Sequence, residues 1–229
     1  MRLWLWITIS LWAGMWAGMA DAACRQALAL GLDVSGSVDA GEYRLQLDGL
    51  AGALMDPEVA AAFLTLPESP ARLAIYEWSG PQSQRLLIPW REISEQADLE
   101  EVATQLHKTR RALQEPSTAL GRAKGFGAAL LAQQPSCWRS VLDISGDGES
   151  NTGPRPQDVM PSGITINALV IGGDHQETEI SGLSAYFRRY VIQGADAFVE
   201  VATGFDDYQA AMSRKLKREL TILVLSRNP

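Results

Sequence analysis

The feature that most constrains this chain is an alternation. Short apolar runs at 26–33, 72–79, 85–90, 139–145, 164–172 and 197–202 are separated, in most cases, by longer helical patterns at 40–54, 97–113, 119–133, 176–190 and 205–225. Strands that are apolar on both faces and joined by helices assemble into a parallel sheet with helices packed on each side. The expectation is an α/β fold: a doubly wound, mostly parallel sheet of about six strands, helices on both faces. The runs around Ile75 and Leu87 are the exception, because Gly80-Pro81-Gln82-Ser83 between them leaves no room for a crossover helix. Parallel neighbours need a dozen or more connecting residues, so these two runs pair antiparallel at one edge. At 229 residues and 46% apolar composition the chain buries the core of one domain more readily than of two.

In open sheets of this kind ligands collect beyond the carboxyl ends of the strands, near the point where strand order reverses. Two segments end apolar runs there with oxygen-bearing side chains, and a third, at the start of a helix, offers more. Asp33-Val34-Ser35-Gly36-Ser37 ends the first apolar run and offers one carboxylate and two hydroxyls at alternating positions. Ser117-Thr118-Ala119-Leu120-Gly121-Arg122-Ala123 opens a helix of small residues, and Val141-Leu142-Asp143-Ile144-Ser145-Gly146-Asp147-Gly148 closes another apolar run on a carboxylate. Asp and Ser also gather in turns for local hydrogen bonding, but three segments distant in sequence now present convergent oxygen ligands. A small hard cation prefers such ligands to nitrogen or sulfur.

Together these motifs resemble the von Willebrand factor type A (VWA) domain, whose metal-ion-dependent adhesion site (MIDAS) combines Asp-x-Ser-x-Ser with a Thr and an Asp from two further loops. The chain also resembles a bacterial secreted VWA-like family of unknown function, of the DUF1194 type, over roughly residues 24–225. The resemblance implies a Rossmann-like VWA fold and a metal site of Asp33, Ser35, Ser37, Thr118 and Asp147, holding Mg or alternatively Mn or Ca. Two carboxylates among neutral hydroxyls leave a divalent cation electrophilic, with a position free for water or an outside acid. The partner implied is a protein or peptide that supplies a Glu or Asp carboxylate.

Residues 1–23 form a separate unit. Arg2 precedes an apolar, Trp-rich run, and Ala20-Asp21-Ala22 gives the small-x-small order of a cleavage site. The segment reads as a signal peptide before a domain at 24–229, which places the protein in the periplasm or outside the cell and leaves no stable membrane span after cleavage. Two alternatives stay open: an uncleaved membrane anchor, and a lipoprotein acylated on Cys24. Cys24 and Cys137 each stand just before an apolar run that ends in a candidate metal loop. If those runs are adjacent parallel strands, both cysteines lie at the end of the sheet opposite the metal, and an oxidising compartment favours a disulfide between them.

Loss of the leader removes Arg2 and Asp21 and leaves the formal charge at -7. An acidic protein is a poor partner for nucleic acid or anionic lipid, which need Lys/Arg clusters. The dense basic segment Arg214-Lys215-Leu216-Lys217-Arg218 reads as the solvated face of an amphipathic helix.

Enzymatic readings lack their parts. The two histidines, His107 and His175, have no zinc-ligand spacing. Asp143 stands where Gly-x-Ser-x-Gly would need its first glycine, and the Gly121–Gly127 stretch lacks the ending of a phosphate-binding loop. The rivals to a binding module are a metal-assisted hydrolase or phosphotransferase, which needs a general base the sequence does not offer, and a structural module with a stabilising metal. Glu149 and Asn151 read as a solvated turn, and Asp39 with Glu42 as the opening of a helix.

Overall fold

A computed structural model describes residues 24–112, 115–172 and 177–225. The expected leader 1–23, the last residues 226–229 and His175 lie outside them. In chain order the elements are β1 (Gln26–Asp33), α1 (Ala40–Leu54), α2 (Pro57–Phe63), β2 (Ala71–Trp78), β3 (Gln84–Ile93), α3 (Gln96–Lys108), α4 (Leu120–Leu131), β4 (Ser140–Gly146), β5 (Thr165–Ile171), α5 (Glu177–Tyr190), β6 (Val199–Ala202) and α6 (Tyr208–Leu225). The sheet runs β3-β2-β1-β4-β5-β6, with β3 antiparallel and the rest parallel. The chain therefore builds outward in one direction from β1 and in the other from β4, so strand order reverses between these two central strands.

Period-two alternation sorts the core. Leu28, Leu30 and Leu32 of β1 face a cluster shared with α1, α2, α3 and α6, whereas Ala27 and Ala29 face α4 and α5. The small residues on the second face let α4 sit close: a side-chain carbon on Gly127 would lie 2.3 Å from Leu142. Each fully buried leucine contributes roughly 1.5–3 kcal/mol, so the two clusters hold the sheet rigid beneath its loops.

Local signals set the helix starts. Asp39 caps α1 through a reciprocal bond pattern, its carboxylate accepting from Glu42 N at 2.8 Å while Glu42 accepts from Asp39 N at 2.7 Å. Helix α2 is absent from the sequence reading, although Asp56 caps it and Pro57 occupies its first position. Strand β3 is longer than the expected run because a register shift accommodates Pro89, which has no amide hydrogen for a regular ladder.

The basic segment of α6 departs from the expectation of a solvated face. Arg214 and Arg218 are exposed, but Lys215 is fully buried, 2.6 Å from both Asp143 Oδ2 and Glu219 Oε1. Every fourth position returns to the core side of the helix, so Lys215 and Glu219 share a face with Ala211 and turn onto β4.

Cys24 and Cys137 form a disulfide, with an S–S distance of 2.03 Å, that closes 113 residues of chain at the amino ends of β1 and β4. Trp138 N donates to Cys24 O at 2.9 Å and continues the same seam. A sulfur bonded to Cys137 carries no thioether lipid, so this bridge and the lipoprotein alternative exclude each other. No helix among the described residues is long and apolar enough to cross a membrane.

Candidate metal centre

Strand β1 delivers Asp33 to the carboxyl end of the sheet, fully buried. One of its oxygens, Oδ1, accepts from Ser35 N at 2.8 Å and folds the following loop back over the strand end. Ser35 Oγ lies 3.2 Å from Ser37 Oγ, and Ser37 Oγ donates to Asp147 Oδ1 at 2.8 Å. The first and third loops thus meet through their side chains, bringing Asp33, Ser35, Ser37 and Asp147 into one group. Asp147 is 8% exposed and forms the outer carboxylate, while Asp33 forms the inner one.

Thr118 is tied to the third loop by its backbone. Its N–H donates to Asn151 Oδ1 at 2.9 Å, and Asn151 N donates to Thr118 O at 2.9 Å. Among the described residues the Thr118 hydroxyl hydrogen-bonds none of the other four. Asn151 and Glu149 are both exposed, as the reading of a solvated turn expects, and Asn151 also clamps the second loop to the third. Gly121 makes the clamp possible, since a side-chain carbon there would sit 2.1 Å from the carbonyl oxygen of Pro154.

The first loop has three further supports that sequence reasoning did not single out. Arg111 donates to Val34 O at 3.2 Å and to Ser35 O at 3.3 Å, Gly36 N donates to Pro116 O at 2.8 Å, and Gln46 Nε2 donates to Asp33 O at 2.9 Å. Gln46 had a legible signal: it lies three residues after Tyr43 and four before Leu50 on the buried face of α1. The other two contacts come from a loop that carries no periodic pattern. His107 pairs with Asp48 on the surface at 2.7 Å.

The electrostatics of the group are unbalanced. Burial, reinforced by the Asp147 carboxylate, pushes the Asp33 carboxyl up to about 8. Among the described residues its second oxygen, Oδ2, is buried without a hydrogen-bond partner, a costly arrangement for an acceptor with no compensating donor. A side-chain carbon on Gly146 would stand 3.1 Å from that oxygen, so the carboxylate fills the notch left by the glycine. An orphaned carboxylate oxygen, a second carboxylate close by and neutral hydroxyls between them fit a hard divalent cation with oxygen ligands. Among the described residues no three His, Cys, Asp or Glu side chains gather as metal ligands, so the candidate centre depends on its hydroxyls.

The family described as "Protein of unknown function (DUF1194)" matches residues 23–224. No curated protein matches the sequence. Among solved structures, proximal thread matrix protein 1 from the mussel byssus, in a form described with a zinc-occupied MIDAS motif, aligns with a TM-score of 0.60 at 14% identity, covering 87% of this chain and 47% of that one. The open conformation of the pilus adhesin SpaC from Lactobacillus rhamnosus GG gives 0.62 at 14%, covering 87% and 30%. A von Willebrand factor type A protein from Catenulispora acidiphila gives 0.55 at 15%, covering 87% and 43%. At these identities the likeness is one of fold, and the chain spans less than half of each of these neighbours.

Proposed function

The chain belongs to the DUF1194 family and has the VWA fold, and from that premise we propose that it is an exported, metal-dependent binding module of the adhesion type. The reading is carried by Oδ2 of Asp33, buried at the point where strand order reverses and without a hydrogen-bond partner among the described residues, on a carboxyl that the Asp147 carboxylate also pushes up. In this reading Asp33 and Asp147 hold the charge of Mg, or of Mn or Ca, and Ser35, Ser37 and Thr118 complete the protein's share of the shell. When bound, the cation supplies an electrophilic centre able to accept a carboxylate from outside. Asp147, the more exposed of the two acids, marks the side from which a partner's Glu or Asp would enter. The mussel neighbour with a zinc-occupied MIDAS motif supports a divalent ion on this fold, and the adhesin neighbour supports protein binding.

Export is part of the same proposal. Residues 1–23 are proposed as a cleaved leader before a domain at 24–229, and the Cys24–Cys137 bridge suits an oxidising compartment. Mass spectrometry of the mature protein is expected to find a start near Ala23 and a bridged, lipid-free Cys24. Titration of the mature protein with Mg, Mn and Ca is expected to give one site, and capture of its partner by crosslinking is expected to fall on addition of EDTA. A protein that binds none of the three ions would remove the reading, and capture indifferent to EDTA would reduce any metal to a structural role.

A further inference from the structure

The two central strands stop pairing before they reach the candidate centre. The β1–β4 ladder runs from Ala27 opposite Ser140 to Gly31 opposite Ile144 and ends there. On their outer sides both strands continue: β1 stays paired with β2 as far as Asp33 opposite Trp78, and β4 with β5 as far as Gly146 opposite Val170. The seam between them is therefore unpaired over the last residues of each strand, and the two carboxylates stand on its opposite sides.

Beyond the last ladder pair the side chains of Gln46 and Ser145 join the two sides. Gln46, on α1 and fully buried, donates from Nε2 to Asp33 O at 2.9 Å. Its Oε1 lies 3.2 Å from Ser145 Oγ, and that hydroxyl also lies 3.3 Å from Gly31 O. An amide carries donor and acceptor at a fixed separation, so one Gln side chain can bond a β1 carbonyl and a β4 hydroxyl at once. We propose that Gln46 and Ser145 form a spacer across the unpaired β1–β4 seam that sets the separation of Asp33 and Asp147, and with it the affinity of the centre for a divalent cation. Ser145 has no nucleophilic role in this account; its hydroxyl is engaged within the fold two residues before Asp147. Both are positioning residues, and neither supplies a ligand to the ion.

The inference rests on the metal reading, so its test separates the two. Mn binding is measured by calorimetry on the mature wild-type protein and on Gln46→Met, Ser145→Ala and the double variant, with Leu106→Ala in the remote core as a control for lost stability. Outer supports of metal ligands typically govern about 10–100-fold in affinity. Each single variant is expected to bind about tenfold more weakly, the double variant no more weakly than the worse single, because one bridge is removed in either case. Leu106→Ala is expected to lower the melting temperature and leave Mn affinity unchanged. Without metal, hydrogen exchange over residues 31–37 and 143–147 is expected to quicken in Gln46→Met. Wild-type affinity in Gln46→Met, or additive losses in the double variant, would overturn the spacer while leaving the metal centre standing. A wild type that binds no Mn but still shows quickened exchange in Gln46→Met would overturn the metal reading and keep the spacer as a structural bridge.

Discussion

Asp33 and Asp143 stand on adjacent central strands, both buried and both carrying a carboxyl pushed above its ordinary value. What differs is where the compensation lies. Burial raises Asp143 to about 7, with Glu219 adding to the rise and Lys215 opposing it from 2.6 Å. Lys215 bonds Glu219 as well, and Asn167 Nδ2 donates to the same Glu219 oxygen at 2.7 Å. Burial alone would lower Lys215, but the two acids outweigh it and hold it above the usual lysine value. Asp33 has no such lysine, and its neighbour is a second acid. One buried charge is answered inside the fold and ties α6 to β4; the other is left open at the mouth of the seam, which is the condition of a ligand site.

The contrast is broken most forcefully at Lys215. Lys215→Ala, or the better-filling Lys215→Met, leaves Asp143 and Glu219 buried together without a cation, and removing one partner of a buried ionic group costs roughly 3–5 kcal/mol. Denaturant unfolding is expected to show that loss with metal affinity little changed. Asp33→Ala should do the reverse. It is expected to cut Mg affinity by about 100-fold or more, about 2.7 kcal/mol or more, and to leave the metal-free protein as stable as wild type or more so, since an uncompensated carboxylate has gone. Metal-free Asp33→Ala unfolding as readily as Lys215→Ala would erase the distinction. Ser35→Ala removes a neutral ligand, and calorimetry is expected to show a smaller loss of about tenfold, near 1.4 kcal/mol.

The two carboxylates were also unequally legible in the sequence. Asp33 was readable because its partners Ser35 and Ser37 follow it in the same loop, and because Thr118 and Asp147 occur in segments that resemble the matching VWA loops. Asp143 is not among the five residues the resemblance assigns to the site, and its own partner is hidden in the sequence. Lys215 lies in a run of basic residues whose composition suggests solvent, and only the helix period, which aligns it with Ala211 and Glu219, turns it inward. The alternation of strands and helices gave the sheet and its antiparallel edge, while α2 was missed despite the Asp56-Pro57 start because seven residues are too few to show a period. Gln46 could be recognised as polar within an apolar stripe. That it spans the seam depends on where a ladder ends, and no local pattern records the end of pairing between strands 113 residues apart at their cysteines.

The pH dependence sharpens the comparison because one reagent should remove only one component. A carboxyl raised in the folded state binds its proton there over a range where the unfolded chain, with an Asp near 3.9, has already lost it. Folding stability from such a group is intact below about pH 4 and declines as pH rises toward the folded value. For Asp33 the window closes at about 8 and for Asp143 at about 7. The slope is at most about 1.4 kcal/mol per pH unit for one proton. Metal-free wild type is therefore expected to melt at a lower temperature at pH 8 than at pH 6 through these groups. Because a cation selects the ionised carboxylate, Mg affinity should rise across the same interval, and saturating Mg should remove the Asp33 component while leaving that of Asp143. Asp33→Asn should match metal-saturated wild type in slope without any metal. Melting curves whose pH slope is the same in metal-free wild type, metal-saturated wild type and Asp33→Asn would show that Asp33 does not carry the proton assigned to it, and that the open charge lies elsewhere in the seam.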